Sequence, residues 1–358
     1  VYIPEKFKNL RPPEYQPGGV SERLVSFVDF APTVCSIAGI QPPGWMQGQA
    51  FLGKFTSPPV THLFGYRGRI DDRIDCIRSV TDGRHVYVRN FRPDLAYGQH
   101  PDFRWQPATL GIWSKMHVEG KLNDSQSAFW KAKVPEELYD LETDPDEVRN
   151  LATSPDHGEI LENLRAALDE NENRIIDVGL LPEWEMGRVA AGSPYDFARN
   201  KEAFHFGRIK ATAELASSLD PEAVPALVAA LGDADSGVRY WGVTGLCMRG
   251  AGTVKESRDT LLKLLDDSSP EVRISAAEAL GRYGAESDLS RVLELLGRMA
   301  DFKNVGDHAT ISALSTLRVL GEKAAPLRPA LKALPGAEGV SPSRFKPYIV
   351  RLLEEVRN

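Results

Sequence analysis

Residues 226–239 read ALVAALGDADSGVR, and residues 260–273 read TLLKLLDDSSPEVR. The two stretches align without a gap, so that Leu231 matches Leu265 and every other pair keeps the same offset of 34 residues. In each stretch, leucines recur at helical spacing and an Asp/Ser cluster follows, which can form a turn and cap the next helix. The sequence therefore predicts consecutive helix pairs.

A third unit follows at an offset of 37 residues, with Leu280 matching Leu317 and the extra residues falling in the polar loop Asp301–Asp307. One helix pair cannot bury its own apolar face, so stacked pairs are expected to form a short α-solenoid with a continuous core. The glycine after each second helix is expected to adopt the left-handed capping conformation. These glycines are Gly250, Gly284 and Gly321.

The turn pattern D-x-[DS]-x-x-V-R, followed by an Ala-rich helix, resembles HEAT repeats over about residues 205–335. Residues 343–358 predict a capping helix. Such repeats either bind a protein partner on their surface or pack against the preceding part of the chain, and the sequence leaves both open. Arg239 and Arg273 are expected to pair across the turn of their own repeat, with Asp233, Asp235 or Asp267.

Composition restricts the class of protein. The 358 residues are 42% hydrophobic and 26% charged, which suits two or three folded domains and excludes wholesale disorder. The net charge of −7 comes without clustered Lys and Arg, which argues against a nucleic-acid partner. No apolar run reaches the roughly 18 residues of a membrane span, and three cysteines without a C-x-x-C pair exclude a disulfide scaffold and a cysteine zinc site.

The first part of the chain predicts an α+β fold, an antiparallel sheet with flanking helices. Phe30, Val34 and Ile37 share one face of an early helix, and a longer amphipathic helix follows Pro155. Four strands are predicted, at 62–66, 76–80, 84–90 and 137–141. The predicted domains are residues 1–182, a linker at 183–204 and the repeats at 205–358.

Four segments of the first part resemble, in order, the carboxy-terminal subdomain of sulfatases, which have an alkaline-phosphatase-like fold. They are SFVDFAPT at 26–33, MQGQAF at 46–51, RSVTDGRHVY at 78–87 and ELYDLETDPDEVRNLA at 137–152. Within that family, FGYRGRIDDR at 64–73 is similar to bacterial enzymes akin to heparan N-sulfatase.

The resemblance implies hydrolysis of sulfate esters or sulfamates by a formylglycine made from the Cys or Ser of a C/S-x-P-S-R motif, with a calcium ion that neutralises the sulfate oxygens. Cys35, Cys76 and Cys247 do not stand in that motif. In the family, nucleophile and metal ligands lie in a larger α/β domain, which would precede Val1. We therefore expect no catalytic or metal-binding residue in this chain, calcium and formylglycine outside it, and no activity from it alone.

A polar cluster provides candidate substrate ligands, because arginine binds sulfate or carboxylate groups and acids bind sugar hydroxyls or amines. The alternative for the cluster is a solvated loop with mutual salt bridges, and for the histidine an exposed or hydrogen-bonded loop position. The candidates are Arg67, Arg69, Asp71, Asp72, Arg73 and His100.

The expected substrate is a sulfated small molecule or glycan, and family resemblance suggests a periplasmic or secreted protein of glycan degradation. Two other functions stay open. One is an interaction protein in which the repeats act and the sulfatase-like part is a relic. The other is a phosphoester or phosphonate hydrolase of the alkaline phosphatase superfamily.

Overall fold

The computed structural model describes residues 2–12, 15–68, 73–99, 107–190, 192–334 and 345–357. The chain forms two compact units built from interleaved segments. The first unit comprises Val1–Gly65, Arg78–Val88 and Glu136–Ile175, and the second comprises Tyr66–Ile77, Arg89–Pro135 and Ile176–Asn358. The predicted domains were continuous stretches, and their boundaries stay a prediction.

The sheet is four-stranded and antiparallel, with its strands in chain order, as predicted. Each strand lies within one residue of its predicted position. Asp82 shapes the hairpin between the second and third strands, because its carboxylate accepts the backbone N–H groups of Arg84 (2.8 Å) and His85 (2.6 Å). The strands are β1 Leu63–Arg67, β2 Ile77–Thr81, β3 His85–Asn90 and β4 Glu136–Asp140.

The core of the first unit forms between sheet residues and the long helix that follows them. Val80, Tyr87 and Leu138 are buried in it. Neighbouring side chains along a strand point to the opposite face of the sheet. The predicted amphipathic helix is confirmed at Gly158–Ile175, after a 3₁₀ turn at Pro155–His157. It buries Leu161, Leu164 and Leu168 in the same cluster.

The first helix, α1 Phe30–Ile37, buries its polar side and exposes its apolar side. Its Thr33 and Ser36 are buried because their hydroxyl groups accept the backbone N–H groups of Phe51 (3.0 Å) and Phe55 (2.8 Å). The opposite surface, termed here the α1 face, is exposed. It consists of Phe27, Phe30, Val34 and Ile37.

The second unit is mainly helical, and the predicted helix pairs are confirmed. Its early helices are α2 Ala108–Val118 and α3 Asp124–Ala128; α4 is the helix Gly158–Ile175 of the first unit. Then come α5 Glu183–Val189, α6 Pro194–Arg199 and α7 Phe206–Ser218. The repeat pairs are α8 Val224–Ala230 with α9 Ser236–Met248, α11 Arg258–Leu264 with α12 Pro270–Tyr283, and α13 Glu286–Met299 with α15 Asp307–Leu320.

Shorter helices connect and end the repeats. They are α10 Ala251–Glu256, α14 Phe302–Val305 in the predicted insertion loop, α16 Arg328–Ala333 and the capping helix α17 Lys346–Arg357. The apolar residues of the repeats form one continuous cluster, in which Leu227, Leu261 and Leu296 are completely buried. This is the shared core expected of stacked pairs.

None of the three predicted glycine caps adopts the left-handed helical conformation. Gly250 (φ +88°, ψ −154°) and Gly321 (φ +55°, ψ −124°) have positive φ without the matching ψ, and Gly284 has φ −70° and ψ −176°. Glycine is required there by close approach instead, because a Cβ would lie 2.5 Å from the carbonyl oxygen of Leu280.

The pairing predicted for the repeat arginines is also different. The guanidinium of Arg239 donates to both carboxylate oxygens of Asp267 in the following repeat, at 2.8 and 2.7 Å, and to the carbonyl oxygen of Asp233 in its own turn. The buried Nε of Arg273 has no acceptor among the described residues. The arginine thus joins two repeats, because its side chain is long enough to cross from one turn to the next.

The segment 183–204, predicted as a linker, contains α5 and α6. Glu185 of α5 is completely buried, and its carboxylate accepts hydrogen bonds from Arg188 and from the hydroxyl groups of Ser236 and Ser269. Ser236 begins α9 and Ser269 is the N-cap of α12. This segment is therefore attached to two successive repeats.

Among the helices of the described residues, none is both long enough and apolar enough to cross a membrane.

Candidate functional site

The candidate ligands lie at the end of β1 and in the segment that leads to β2. Arg67 and Arg73 are described by the structure and belong to the second unit. Arg69, Asp71, Asp72 and His100 lie outside the described residues.

Arg67 contacts a buried charge network around Asp75. Its Nε lies 3.4 Å from the Asp75 carboxylate, which also accepts the ammonium group of Lys133 at 3.2 and 3.3 Å. The Lys133 side chain is fully buried, and its Nζ also donates to the carbonyl oxygen of Leu95 at 2.8 Å. Burial lowers the pKa of Lys133, while Asp75 acts against that shift by stabilising the ammonium. The network joins the end of β1 to Asp75 and Lys133.

Arg73 occupies a buried position next to the capping helix. Its guanidinium lies 3.4 Å from the carboxylate of Glu355 in α17, which Arg318 and Arg351 also approach at 3.6 Å. Only 3% of Arg73 is exposed. The contact ties the segment before β2 to the end of the chain, and a substrate role for either arginine stays a prediction.

A second buried ion pair follows β3. Arg92 donates from Nε and Nη2 to the two carboxylate oxygens of Asp94, both at 2.9 Å. Burial alone would lower the pKa of Arg92, but the charge and hydrogen bonds of Asp94 outweigh it and raise that pKa. The same pairing lowers the pKa of Asp94 against the effect of its own burial. Both groups are therefore charged in the folded protein.

In the first unit, the segment 137–152 forms a turn in which side chains hold the backbone. The hydrogen bonds from Arg84 to Asp140 (3.0 and 2.7 Å) keep the pKa of that carboxyl well below its usual range. Asp144 accepts the N–H groups of Val148 and Arg149, at 3.3 and 2.8 Å. These acids stabilise a turn, which explains why their spacing is so specific.

Asp29 has a similar structural role in the segment 26–33. Its side chain does not cap α1; its carboxylate accepts the N–H groups of Ser26 (2.8 Å) and Gln49 (2.7 Å). Gly48 must be glycine here, because a Cβ would lie 2.0 Å from the carbonyl oxygen of Val28. Asp29 therefore joins the start of α1 to the segment at 48–49.

The sequence analysis did not identify the two buried ion pairs described above, Asp75–Lys133 and Arg92–Asp94. Asp75 and Lys133 are 58 residues apart, and no periodic pattern links them. Only the unusual density of charge between the predicted strands could have drawn attention to them.

The comparisons with known proteins agree with the two architectures. Residues 243–315 match the HEAT repeats family, and part of the chain is homologous to sulfatases. The predicted resemblance to both families is thereby confirmed.

The particular relatives are two sulfatases and a sulphohydrolase by name. The chain is 41% identical over 165 residues to an ulvan-active sulfatase of Formosa agariphila, a match that covers 46% of this chain and 28% of that enzyme. A second ulvan-active sulfatase of the same organism is 31% identical over 159 residues, which cover 43% of this chain and 30% of the enzyme. The N-sulphoglucosamine sulphohydrolase of Homo sapiens is 27% identical over 165 residues, covering 42% of this chain and 32% of the enzyme. The matched segment thus spans at most 32% of the length of these curated relatives.

Proposed function

We propose that this chain is the carboxy-terminal part of a sulfatase that hydrolyses sulfate esters or sulfamates of sulfated glycans. The observation that carries the proposal is the 41% identity over 165 residues to an ulvan-active sulfatase.

The three cysteines of this chain do not fit the formylglycine that the family implies. Cys76 and Cys247 are buried, and burial raises the pKa of the Cys247 thiol far above its usual range. None of the three cysteines is followed by the x-P-S-R sequence that formylglycine formation requires. The proposal therefore assigns the formylglycine and the calcium ion to a domain outside this sequence, and no chemical step is assigned to this chain.

The contribution proposed for this chain is a wall of the substrate site and a surface for that other domain. Arg67 has 20% of its side chain exposed, and a guanidinium group can bind a sulfate or carboxylate oxygen. The α1 face offers apolar area, since 91% of Phe27 and 65% of Val34 are exposed. Exposed apolar patches of this kind mark interaction surfaces.

The first experiment is to sequence the coding DNA upstream of Val1 and to express the complete reading frame. We expect a C/S-x-P-S-R motif upstream and release of sulfate from sulfated oligosaccharides. Replacement of its Cys or Ser by Ala should abolish that release. Comparison of an O-sulfated with an N-sulfated disaccharide then distinguishes ester from sulfamate hydrolysis.

Arg67→Lys and Arg73→Lys in the complete protein test the substrate wall. At a sulfate contact, replacement of the planar guanidinium group by an ammonium group should change KM or kcat by about tenfold. Arg291→Lys is the matched control, because Arg291 is half-exposed and pairs only with Asp266 on the repeats. Unchanged kinetics in both test variants would remove these arginines from the substrate site.

The same expression experiment decides between the alternatives. A zinc or manganese ligand set with a Thr or Ser nucleophile upstream, and phosphate release in place of sulfate release, would make the parent a phosphoester or phosphonate hydrolase. Absence of any nucleophile motif would leave the repeats as the functional part. Export to the periplasm or the medium is proposed from the relatives, and a cleaved leader on the complete protein would support it.

A further inference from the structure

A cavity of about 380 Å³ lies within the second unit. Among the described residues, its walls come from 66–68, 74–76 and 179–186, from Arg92 and from the repeat helices α9, α12 and α15. Small-molecule sites typically enclose about 300–1,000 Å³. The cavity, termed here the repeat cavity, is therefore large enough for a small ligand.

Aromatic rings form one wall of the repeat cavity. Trp184, Tyr240 and Trp241 line it, and the rings of Tyr240 and Trp241 lie 5.3 Å apart at 76°. The indole N–H of Trp241 donates to the carbonyl oxygen of Leu180 at 2.8 Å, which fixes its orientation. Because 5% of Tyr240 and 2% of Trp241 are exposed, the half-buried ring of Trp184 is the apolar face on which a ligand ring can stack.

Trp184 adds an unused hydrogen-bond donor. Its indole Nε1 is buried and has no acceptor in the part of the chain that the structure describes. A buried donor without an acceptor costs about 1–3 kcal/mol, so native proteins rarely leave one unpaired. An oxygen atom of a bound ligand would remove this cost.

Two of the charged residues that line the repeat cavity are paired with residues of opposite charge. Arg92 pairs with Asp94, and Asp75 pairs with Lys133. Glu271 of α12 is 2% exposed and accepts the hydroxyl of Ser312 at 3.0 Å. Among the described residues, no ion pair joins Glu271 to a cation, and its burial raises the pKa of its carboxyl to about 7.

These groups select the chemistry of a ligand. A sulfate or other anion would be repelled by the Glu271 carboxylate, and a simple cation would give the Trp184 N–H no acceptor. A hydroxyl group meets both needs, since it donates to the carboxyl and accepts from the indole. We infer that the repeat cavity binds an uncharged sugar unit, stacked on its aromatic wall and hydrogen-bonded to Trp184 and Glu271. This inference is independent of the proposed hydrolase function, because it rests on residues of the second unit alone.

Saturation-transfer NMR and tryptophan fluorescence on the 358-residue chain can test the inference. The probes are D-glucose and cellobiose as uncharged sugars, D-glucosamine as a cationic sugar and D-glucose 6-sulfate as an anionic one. We expect both uncharged sugars to bind, and to bind more tightly than the two charged sugars.

Two variants connect binding to the cavity. Trp184→Phe keeps the ring and removes the N–H, and should weaken cellobiose binding about fivefold. Glu271→Leu removes the hydrogen-bonding group from a buried position and should weaken it about tenfold, with no loss of thermal stability. Trp45→Phe is the control, because Trp45 is 64% exposed and belongs to the first unit.

Three results would overturn the inference. The first is no binding of either uncharged sugar to the unaltered chain. The second is preference for glucosamine or for the sulfated sugar, which would make the cavity a site for charged ligands. The third is unchanged sugar binding in both Trp184→Phe and Glu271→Leu, each shown by circular dichroism to be folded.

Discussion

Glu185 and Glu271 are both buried carboxyl groups of the second unit, and their surroundings move their pKa values in opposite directions. Burial alone would raise the pKa of Glu185, but hydrogen bonds from Arg188, Ser236 and Ser269 outweigh burial and lower it. Glu271 has only one hydroxyl donor, so burial dominates and raises its pKa to about 7. The two residues therefore contribute opposite pH dependences to stability.

Replacing Glu185 by Gln should destabilise the second unit, because two hydroxyl groups and a guanidinium lose an ionised acceptor. We expect a loss of about 2–3 kcal/mol in the free energy of unfolding at pH 7, measured by urea denaturation. The lowered pKa means that the contribution of Glu185 is present above the ordinary carboxyl pKa near 4.5 and disappears as the pH falls. The difference between the two proteins should therefore be smaller at pH 3 than at pH 7.

The control for this prediction is Glu294→Gln, because Glu294 is 69% exposed and makes only a long contact with Arg298. It should change stability by less than about 0.5 kcal/mol. An effect of Glu185→Gln as small as that of the control would contradict the role given to Glu185 in joining α5 to the repeats.

Replacing Glu271 by Gln should have the opposite pH signature. With a folded pKa of about 7 against an ordinary value of 4.5, the folded protein retains a proton that the unfolded chain releases, so stability falls as the pH rises between these values. The amide cannot ionise, so as the pH rises the free energy of unfolding of the variant should fall by about 3 kcal/mol less than that of the unaltered protein. Urea denaturation at pH 4.5, 6 and 8 measures it, and parallel pH profiles of the two proteins would show that Glu271 does not titrate in this way.

At the scale of elements, periodicity and turn residues were enough to predict the strands and the helix pairs. The strands follow runs of β-forming residues bounded by turn residues, and each repeat carries leucines at helical spacing, so local patterns report these elements directly. α1 was different, because hydrogen bonds from Phe51 and Phe55 make its polar side the buried one. The partner of Arg239 was also not evident, since an arginine can reach either its own turn or the next repeat.

The Arg239–Asp267 pair should couple neighbouring repeats energetically. It has two hydrogen bonds at 2.8 and 2.7 Å, and its side chains are 11% and 7% exposed. A double-mutant cycle with Arg239→Ala and Asp267→Ala should give a coupling free energy of about 1–3 kcal/mol.

The matched control is the exposed pair Arg291–Asp266, whose side chains are 48% and 74% exposed. Its cycle should give less than about 1 kcal/mol, and the value should decrease further with added salt. Equal coupling free energies in the two pairs would mean that burial and the second hydrogen bond do not strengthen the contact between repeats.

At the scale of the whole molecule, the candidate site was only partly predictable. The sequence identified Arg67 and Arg73 from their residue type, but not their neighbours, because Arg73 and Glu355 are 282 positions apart. The repeat cavity was not predicted for the same reason, since Trp184, Glu271 and Tyr66 come from three separate segments. Local sequence patterns do not encode contacts over such separations.

The α1 face should behave differently in this chain and in the complete protein, a prediction that rests on the proposed function. Val34→Asp in the 358-residue chain should change the free energy of unfolding by less than about 0.5 kcal/mol, because 65% of Val34 is exposed. In the complete protein, the same change would bury a charge against the other domain and should cost about 3 kcal/mol or more. Thermal unfolding of both proteins measures the difference.

Val118→Asp serves as the control for the α1 face, since Val118 is 83% exposed on α2 in the second unit. Val118→Asp should leave the free energy of unfolding of both proteins unchanged. A neutral Val34→Asp in the complete protein would show that the other domain does not cover the α1 face.

The ion pair between Arg73 and Glu355 has a consequence for biosynthesis. A ribosome adds about 5–20 residues per second, so Arg73 emerges long before α17, with a delay of roughly half a minute in bacteria. During that time the guanidinium of Arg73 lacks its ion-pair partner, because Glu355 has not yet been translated. Completion of the second unit therefore requires synthesis of Glu355, and nascent chains stalled before Glu355 should be open to proteases or chaperones at residues that are buried in the folded unit.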